Sequence, residues 1–153
     1  MTPTALLDVL IVDDSAAIRK ILQRVLRQTD LPLGEIQEAG DGAEAVEILK
    51  SRSFGLILSD INMPRMDGLQ LLAKIKEIEH LRNVPVVMIT TEGGQGKVME
   101  AVQLGAAGYV RKPFTADQIK EKLNGILCRA SGRPGKRHFI WFCNTKPWYV
   151  TQY

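Results

Sequence analysis

The sequence predicts a doubly wound α/β domain, a mostly parallel five-stranded sheet flanked by five helices. Three observations predict it. Short β-prone apolar runs alternate five times with segments whose apolar residues recur at helical spacing. The first run, Leu6 to Val12, is almost continuously apolar, as a strand buried on both faces should be. Four of the runs end on polar or charged residues, at Asp13-Asp14, Asp60, Thr90 and Lys112. In an open α/β sheet the carboxyl ends of the strands border the ligand crevice, so these side chains are expected to converge.

Each element follows in order. Ser15 is a good N-cap for a first helix carrying Ala17, Ile18, Ile21, Leu22, Val25 and Leu26. Leu31-Pro32-Leu33-Gly34 reads as a turn, followed by a short second strand from Ile36 to Ala39. Gly42 opens a second helix, with Ala45, Val46 and Leu49 on one face. Leu56-Ile57-Leu58 is the third strand, stopped by Ser59-Asp60, and Asp67-Gly68 is a turn that starts a helix. Leu69, Leu72, Ile75 and Ile78 mark that third helix, and Val86 to Ile89 the fourth strand, ending at Thr90. Val98, Val102 and Leu104 indicate a fourth helix, Gly108 to Arg111 a fifth strand, and Ile119, Leu123 and Ile126-Leu127 a fifth helix. The crossovers are expected to be right-handed.

The chain has 153 residues, 45% of them hydrophobic and 24% charged, enough to bury a core without staples. That balance excludes a collagen-like, coiled-coil or wholly disordered chain. Val9 to Val12 is too short an apolar run to span a membrane, and residues 1–8 lack the basic start of a secretion signal. Cys128 and Cys143 form no CxxC pair, which argues against a disulfide framework or a zinc site and for the cytoplasm. His80 and His138 are isolated, so histidine catalysis has no support.

Three carboxylates in one crevice repel each other unless cations intervene. A hard divalent cation with oxygen ligands answers that need, and Mg²⁺ suits one or two direct carboxylates with water and phosphate oxygens completing the shell. With Lys112 as a second cation and Thr90 as a hydroxyl donor, the set suits phosphoryl transfer onto a carboxylate. The plainer reading of Asp13 and Asp14 is capping of the first helix. Thr90 and Lys112 are likewise ordinary singly, but the joint placement is not. Gly93-Gly94-Gln95-Gly96-Lys97 lacks the spacing of a phosphate-binding loop and reads as a flexible segment before the fourth helix.

These residues also carry a resemblance. Ser59-Asp60-Ile61-Asn62-Met63-Pro64-Arg65-Met66-Asp67-Gly68 resembles the phosphoacceptor segment of response-regulator receiver domains. Asp13-Asp14, Thr90 and Gly108-Tyr109-Val110-Arg111-Lys112-Pro113-Phe114 complete the family's pattern in its order and spacing. Asn62 and Glu92 are the choices of its single-domain chemotaxis regulators, whereas Ile61 departs from the tryptophan found there beside the acceptor.

The resemblance implies a flavodoxin-like sheet of order 2-1-3-4-5 and a stand-alone regulator. It implies that Asp60 takes a phosphoryl group from a CheA-like sensor histidine kinase in a Mg²⁺-dependent reaction. Asp14, Asp60 and the backbone carbonyl of Asn62 would ligate Mg²⁺, with Asp13 acting through water. Lys112 and Thr90 would bind phosphoryl oxygens, Tyr109 would turn inward with Thr90, and Asn62 and Glu92 would tune dephosphorylation. Lys112-Pro113 would be cis. The switched surface of helix four, strand five and helix five would control a partner such as a flagellar motor switch component, and a phosphatase could act on the product. The chain would then be a monomeric signalling switch that assists its own phosphorylation and dephosphorylation, not a turnover enzyme. Two rivals stand beside it. A phosphorelay intermediate would pass its phosphate to a histidine phosphotransfer protein, and an aspartate-nucleophile phosphatase would want an acid where Asn62 sits.

The receiver unit is expected over residues 4–128 and a basic, aromatic extension over 129–153. The extension holds five basic residues and no acid; removing them from 20 leaves 15 basic against 17 acidic residues elsewhere. Its start, Ser131 to Arg137, reads as a linker. Its three readings are docking as an aromatic anchor, contact with nucleic acid or an anionic membrane, and a non-native sequence, with nucleic-acid binding ranked lowest. The receiver unit itself is expected to bind no nucleic acid.

Overall fold

A computed structural model describes residues 6–29, 31–63, 65–90 and 95–130, without the side chains of 95 and 127–130. Glu92 and the extension beyond residue 130 therefore lie outside the described residues, as does the Gly93-Gly94 pair. The strands are β1 (Leu7–Val12), β2 (Leu33–Ala39), β3 (Leu56–Asp60), β4 (Val86–Thr90) and β5 (Gly108–Arg111). Between and after them run α1 (Ala16–Arg27), α2 (Gly42–Ser51), α3 (Gly68–Glu77), α4 (Gln95–Leu104) and α5 (Ala116–Ala130), with a 3₁₀ turn at Glu79–Leu81. All four pairings are parallel, as the alternating pattern predicts, and the order is β2-β1-β3-β4-β5, as the family resemblance implies.

Alternation along the strands builds two cores. Val9 and Ile11 of β1, Leu56 and Leu58 of β3, and Val87 and Ile89 of β4 pack with Leu22, Val25 and Leu26 of α1 and Ile119, Leu123 and Ile126 of α5. Leu10, Val12, Ile57, Val86 and Met88 face the other way, onto Ala45 and Leu49 of α2, Leu72 and Ile75 of α3 and Ala101 of α4. A strand buried on both faces needs apolar residues at every position, which is why β1 and β4 show no polar alternation.

The caps are built as the sequence suggests. Ser15 Oγ accepts from the Ile18 N–H at 3.3 Å, and Asp41 Oδ1 from Glu44 at 2.8 Å. Asp67 and Gln70 form a reciprocal capping box at α3. Each satisfies donors that the first helical turn leaves without partners. No helix among the described residues is long and apolar enough to cross a membrane.

Three boundaries and one helix face differ from expectation. β2 begins at Leu33, inside the expected turn, because the register shifts between Leu7 and Val9 and Asp8 Oδ1 accepts the Glu35 N–H at 2.8 Å. Arg52 then clamps this edge, reaching Glu35 at 2.8 Å, Gln37 at 3.0 Å and Asp8 at 3.1 Å. β3 runs on through Ser59 and Asp60, which pair with Met88 and Ile89, so the segment from Asp60 to Gly68 starts from a strand end and not from a loop. Gln95, Gly96 and Lys97 belong to α4, since a first turn whose N–H groups lack helical partners anyway tolerates poor helix formers. Finally, α4 buries Ala101 while Val102 stays 51% exposed, giving that helix a narrower apolar stripe than Val98, Val102 and Leu104 implied.

Candidate functional site

β1, β3, β4 and β5 end in register, with Val12 opposite Ser59, Asp60 opposite Ile89 and Thr90 opposite Arg111. The residue at or just past each end thus falls at one edge of the sheet. Asp13 donates its N–H to Ala39 O at 3.1 Å, and Lys112 donates its own to Thr90 O at 2.6 Å, which fixes both loops to neighbouring strands. The Lys112-Pro113 bond is cis.

Asp13, Asp14 and Asp60 each offer a carboxylate oxygen within 4.8 Å of the others. Asp13 and Asp60 are buried and Asp14 is exposed. Lys112 Nζ lies 3.0 Å from Asp13 Oδ2 and 3.6 Å from Asp60 Oδ2. Three carboxylates against one ammonium leave the cluster two negative charges in excess. Asp13 Oδ1 accepts the Ser15 N–H at 2.8 Å, so this side chain supports the start of α1 while its other oxygen holds Lys112. Ser15, not either aspartate, is the N-cap. Asp60 Oδ1 is buried and has no hydrogen-bond partner.

Burial, and after it the neighbouring Asp13 charge, push the Asp60 carboxyl above its ordinary value; Lys112 and the N–H groups of Asn62 and Ile61 act in the opposite direction. A carboxyl with a raised folded-state pKa stabilises the fold fully only below its unfolded-state pKa, and that contribution is lost as pH rises through the folded value. The carboxylate form of Asp60 is therefore the one that strains the native state. Asp60→Asn, measured by calorimetry in EDTA, is expected to be more stable than the parent at pH 7 by about 1–3 kcal/mol. The gap should close as the pH drops into the carboxylate range; a gap independent of pH would assign the effect to packing.

Thr90 is buried at the end of β4. Asn62 is exposed, and its side-chain oxygen accepts from Lys97 Nζ at 3.0 Å. Tyr109 lies outside the cluster, 40% exposed, with Lys122 Nζ 5.6 Å from its ring centre. Ile61, beside Asp60, is fully buried in the α2–α3 core. Two contacts were not anticipated. Arg19 Nη1 donates to the Asp13 carbonyl while its Nε pairs with Glu38 at 2.7 Å. Arg19 stands four residues past the N-cap, where a helix turns back over its own start, and that spacing was the available signal. The other is Lys97 on Asn62, for which the sequence offers none.

The donor set passes a test for a hard divalent cation. It consists of oxygens alone, carries excess negative charge, contains one buried oxygen without a partner, and keeps one exposed carboxylate where water can complete a shell.

Sheet order, carboxylate cluster and bridging lysine describe one class, the receiver domain, and the model of the response regulator receiver domain family matches residues 9–124. The chain belongs to that family. Among individual proteins, it is 45% identical to the chemotaxis protein CheY-3 of Vibrio cholerae over 121 residues, spanning 79% of this chain and 92% of that one. It is 42% identical to the chemotaxis protein CheY of Pseudomonas aeruginosa over 124 residues, 81% and 98% of the two chains. The structure of Vibrio cholerae chemotaxis protein CheY4 superposes with a TM-score of 0.73 at 32% identity, covering 80% of this chain and 99% of that one.

Proposed function

We propose that this protein is a stand-alone response regulator of chemotaxis, in which Asp60 accepts a phosphoryl group from a phosphohistidine on a CheA-like sensor histidine kinase. One observation carries the reading: within a cluster of three carboxylates bridged by Lys112, the Asp60 Oδ1 oxygen is buried and unpaired. Such an oxygen has no hydrogen bond to give up when it attacks.

In the step, an Asp60 oxygen forms a bond to phosphorus as the phosphorus–nitrogen bond breaks. The imidazole departs with the electron pair and holds a proton on its other nitrogen. Charge spreads over three equatorial oxygens. Lys112 meets one of them, turned toward the acceptor by its bond to Asp13. Thr90 donates its hydroxyl to a second. Asp14, Asp60 and the Asn62 carbonyl would hold Mg²⁺, with Asp13 through water, and the ion supplies neutralisation of the crowded negative charge. Asp60 gains charge and acceptor oxygens at one point, which biases a two-state equilibrium. Tyr109 follows Thr90, and the surface of α4, β5 and α5 is remodelled for an output protein such as a flagellar motor switch component. Asn62 and Glu92 set the rate at which water ends the signal, and a partner phosphatase shortens it further.

Residues 4–128 form the receiver unit of a cytoplasmic monomer, and 129–153 an appended segment. The test is intact-protein mass after incubation with acetyl phosphate and Mg²⁺. One added phosphoryl group is expected, lost on standing within seconds to minutes, and absent in Asp60→Asn or with EDTA. A group retained until a histidine phosphotransfer domain removes it would favour the relay reading. No gain from either acetyl phosphate or a phosphorylated kinase domain would overturn the acceptor role.

A further inference from the structure

Lys97 lies in the first turn of α4, and its ammonium donates to Asn62 Oδ1 at 3.0 Å across 35 residues of sequence. Asn62 also touches the acceptor, because its backbone N–H is one of the groups that stabilise the Asp60 carboxylate. One residue therefore joins Asp60 through its main chain and Lys97 through its side chain. Lys97 itself touches none of the three carboxylates in the hydrogen bonds and ion pairs of the described residues.

We propose that Lys97 is a positioning residue that lengthens the life of the Asp60 phosphoryl group by engaging the amide oxygen of Asn62. The proposal rests on Asp60 being the acceptor. Loss of the group requires a water oxygen to bond to phosphorus as the bond to Asp60 breaks. Asp60 leaves as a carboxylate, and the proton shed by the water goes to phosphate or solvent. An attacking water reacts faster when a nearby acceptor orients it. The Asn62 amide oxygen is a neutral acceptor two residues from Asp60, and Lys97 keeps it occupied.

An exposed contact of this kind contributes little to stability, so a lysine that merely ties α4 to the acceptor loop would leave hydrolysis unchanged. The experiment follows decay of the phosphorylated full-length protein by mass after the donor is removed. Lys97→Met is expected to decay about two- to fivefold faster, with an unchanged melting temperature. Lys97→Arg should restore most of the lifetime. In an Asn62→Ala background, Lys97→Met should add nothing. Equal decay of Lys97→Met and the parent, or acceleration that persists without the Asn62 amide, overturns the proposal while leaving the acceptor role intact. A parent protein that takes up no phosphoryl group overturns the acceptor role, and this role with it.

Discussion

Lys112→Met unfolds with about 3–5 kcal/mol less free energy than the parent at pH 7 in EDTA. The substitution keeps the length of the stem and removes only the charge. Lys112 Nζ lies 3.0 Å from Asp13 Oδ2 and 3.6 Å from Asp60 Oδ2, and both carboxylates are almost wholly shielded from water. Without the ammonium, two buried like charges face each other with no cation between them. The burden has a pH signature. Lys112 is one of the groups that hold the Asp60 carboxyl down against burial and Asp13. Its removal lets that carboxyl rise further, and stability tied to a raised carboxyl is present at low pH and lost as pH rises through the folded value. The deficit should therefore be greatest at neutral pH and shrink as the solution is acidified. Millimolar Mg²⁺ should restore part of it, by adding the missing positive charge. Urea titrations at pH 7 and pH 4, with and without Mg²⁺, read all of this. An equal deficit at both pH values would mean that the packing of the new side chain, not the lost charge, sets the cost.

The second large effect comes from one hydrogen atom. Gly68 is the first residue of α3, and its N–H donates to the Ile61 carbonyl at 2.8 Å. A Cβ built there stands 2.8 Å from both Ile61 Cα and Met88 Cε, and closer still to the Asp60 carbonyl oxygen. Two of these three neighbours are backbone atoms of Asp60 and Ile61 and cannot step aside alone. Gly68→Ala is expected to cost about 3 kcal/mol and to lower phosphoryl uptake with it, because the strain is relieved by moving the residues that carry Asp60. Gly96→Ala is the control: its Cβ meets nothing within 4 Å, so it should be neutral or slightly stabilising. Denaturation midpoints together with intact mass separate the two effects. Normal uptake in a destabilised Gly68→Ala would uncouple α3 from the acceptor.

Much of this was legible in the chain itself, for a physical reason. A doubly buried strand is apolar over most of its length, so Leu6 to Val12 and Val86 to Ile89 announce the sheet and Asp13 its edge, whereas β3 carries its pairing on through Ser59 and Asp60. Asp13, Asp14, Asp60, Thr90 and Lys112 all stand at such ends, and a parallel sheet leaves them no other place to go. Helix starts were equally plain where a short polar side chain preceded the first turn, as at Ser15 and Asp67. What stayed hidden depends on contacts between distant segments. The early start of β2 needs Asp8 to satisfy Glu35, 27 residues away. The exposure of Val102 depends on how α4 leans on the sheet, and composition carries no trace of that angle. Lys97 looked like part of a loop because Gly96 beside it is a poor helix former, and its bond to Asn62 spans two elements that sequence spacing does not relate.

The bond between Lys112 and Asp13 joins residues 99 positions apart. Closing so long a stretch is slow compared with forming any one helix, and its entropic cost falls late in assembly. A chain emerging from the ribosome presents Asp13, Asp14 and Asp60 well before β5 arrives with the lysine. Until then the ammonium that bridges Asp13 and Asp60 is missing from the cluster. The charge balance of the cluster thus doubles as a mark of completed folding, and a chain cut short before residue 112 would hold the Asp13 and Asp60 carboxylates with no ammonium between them.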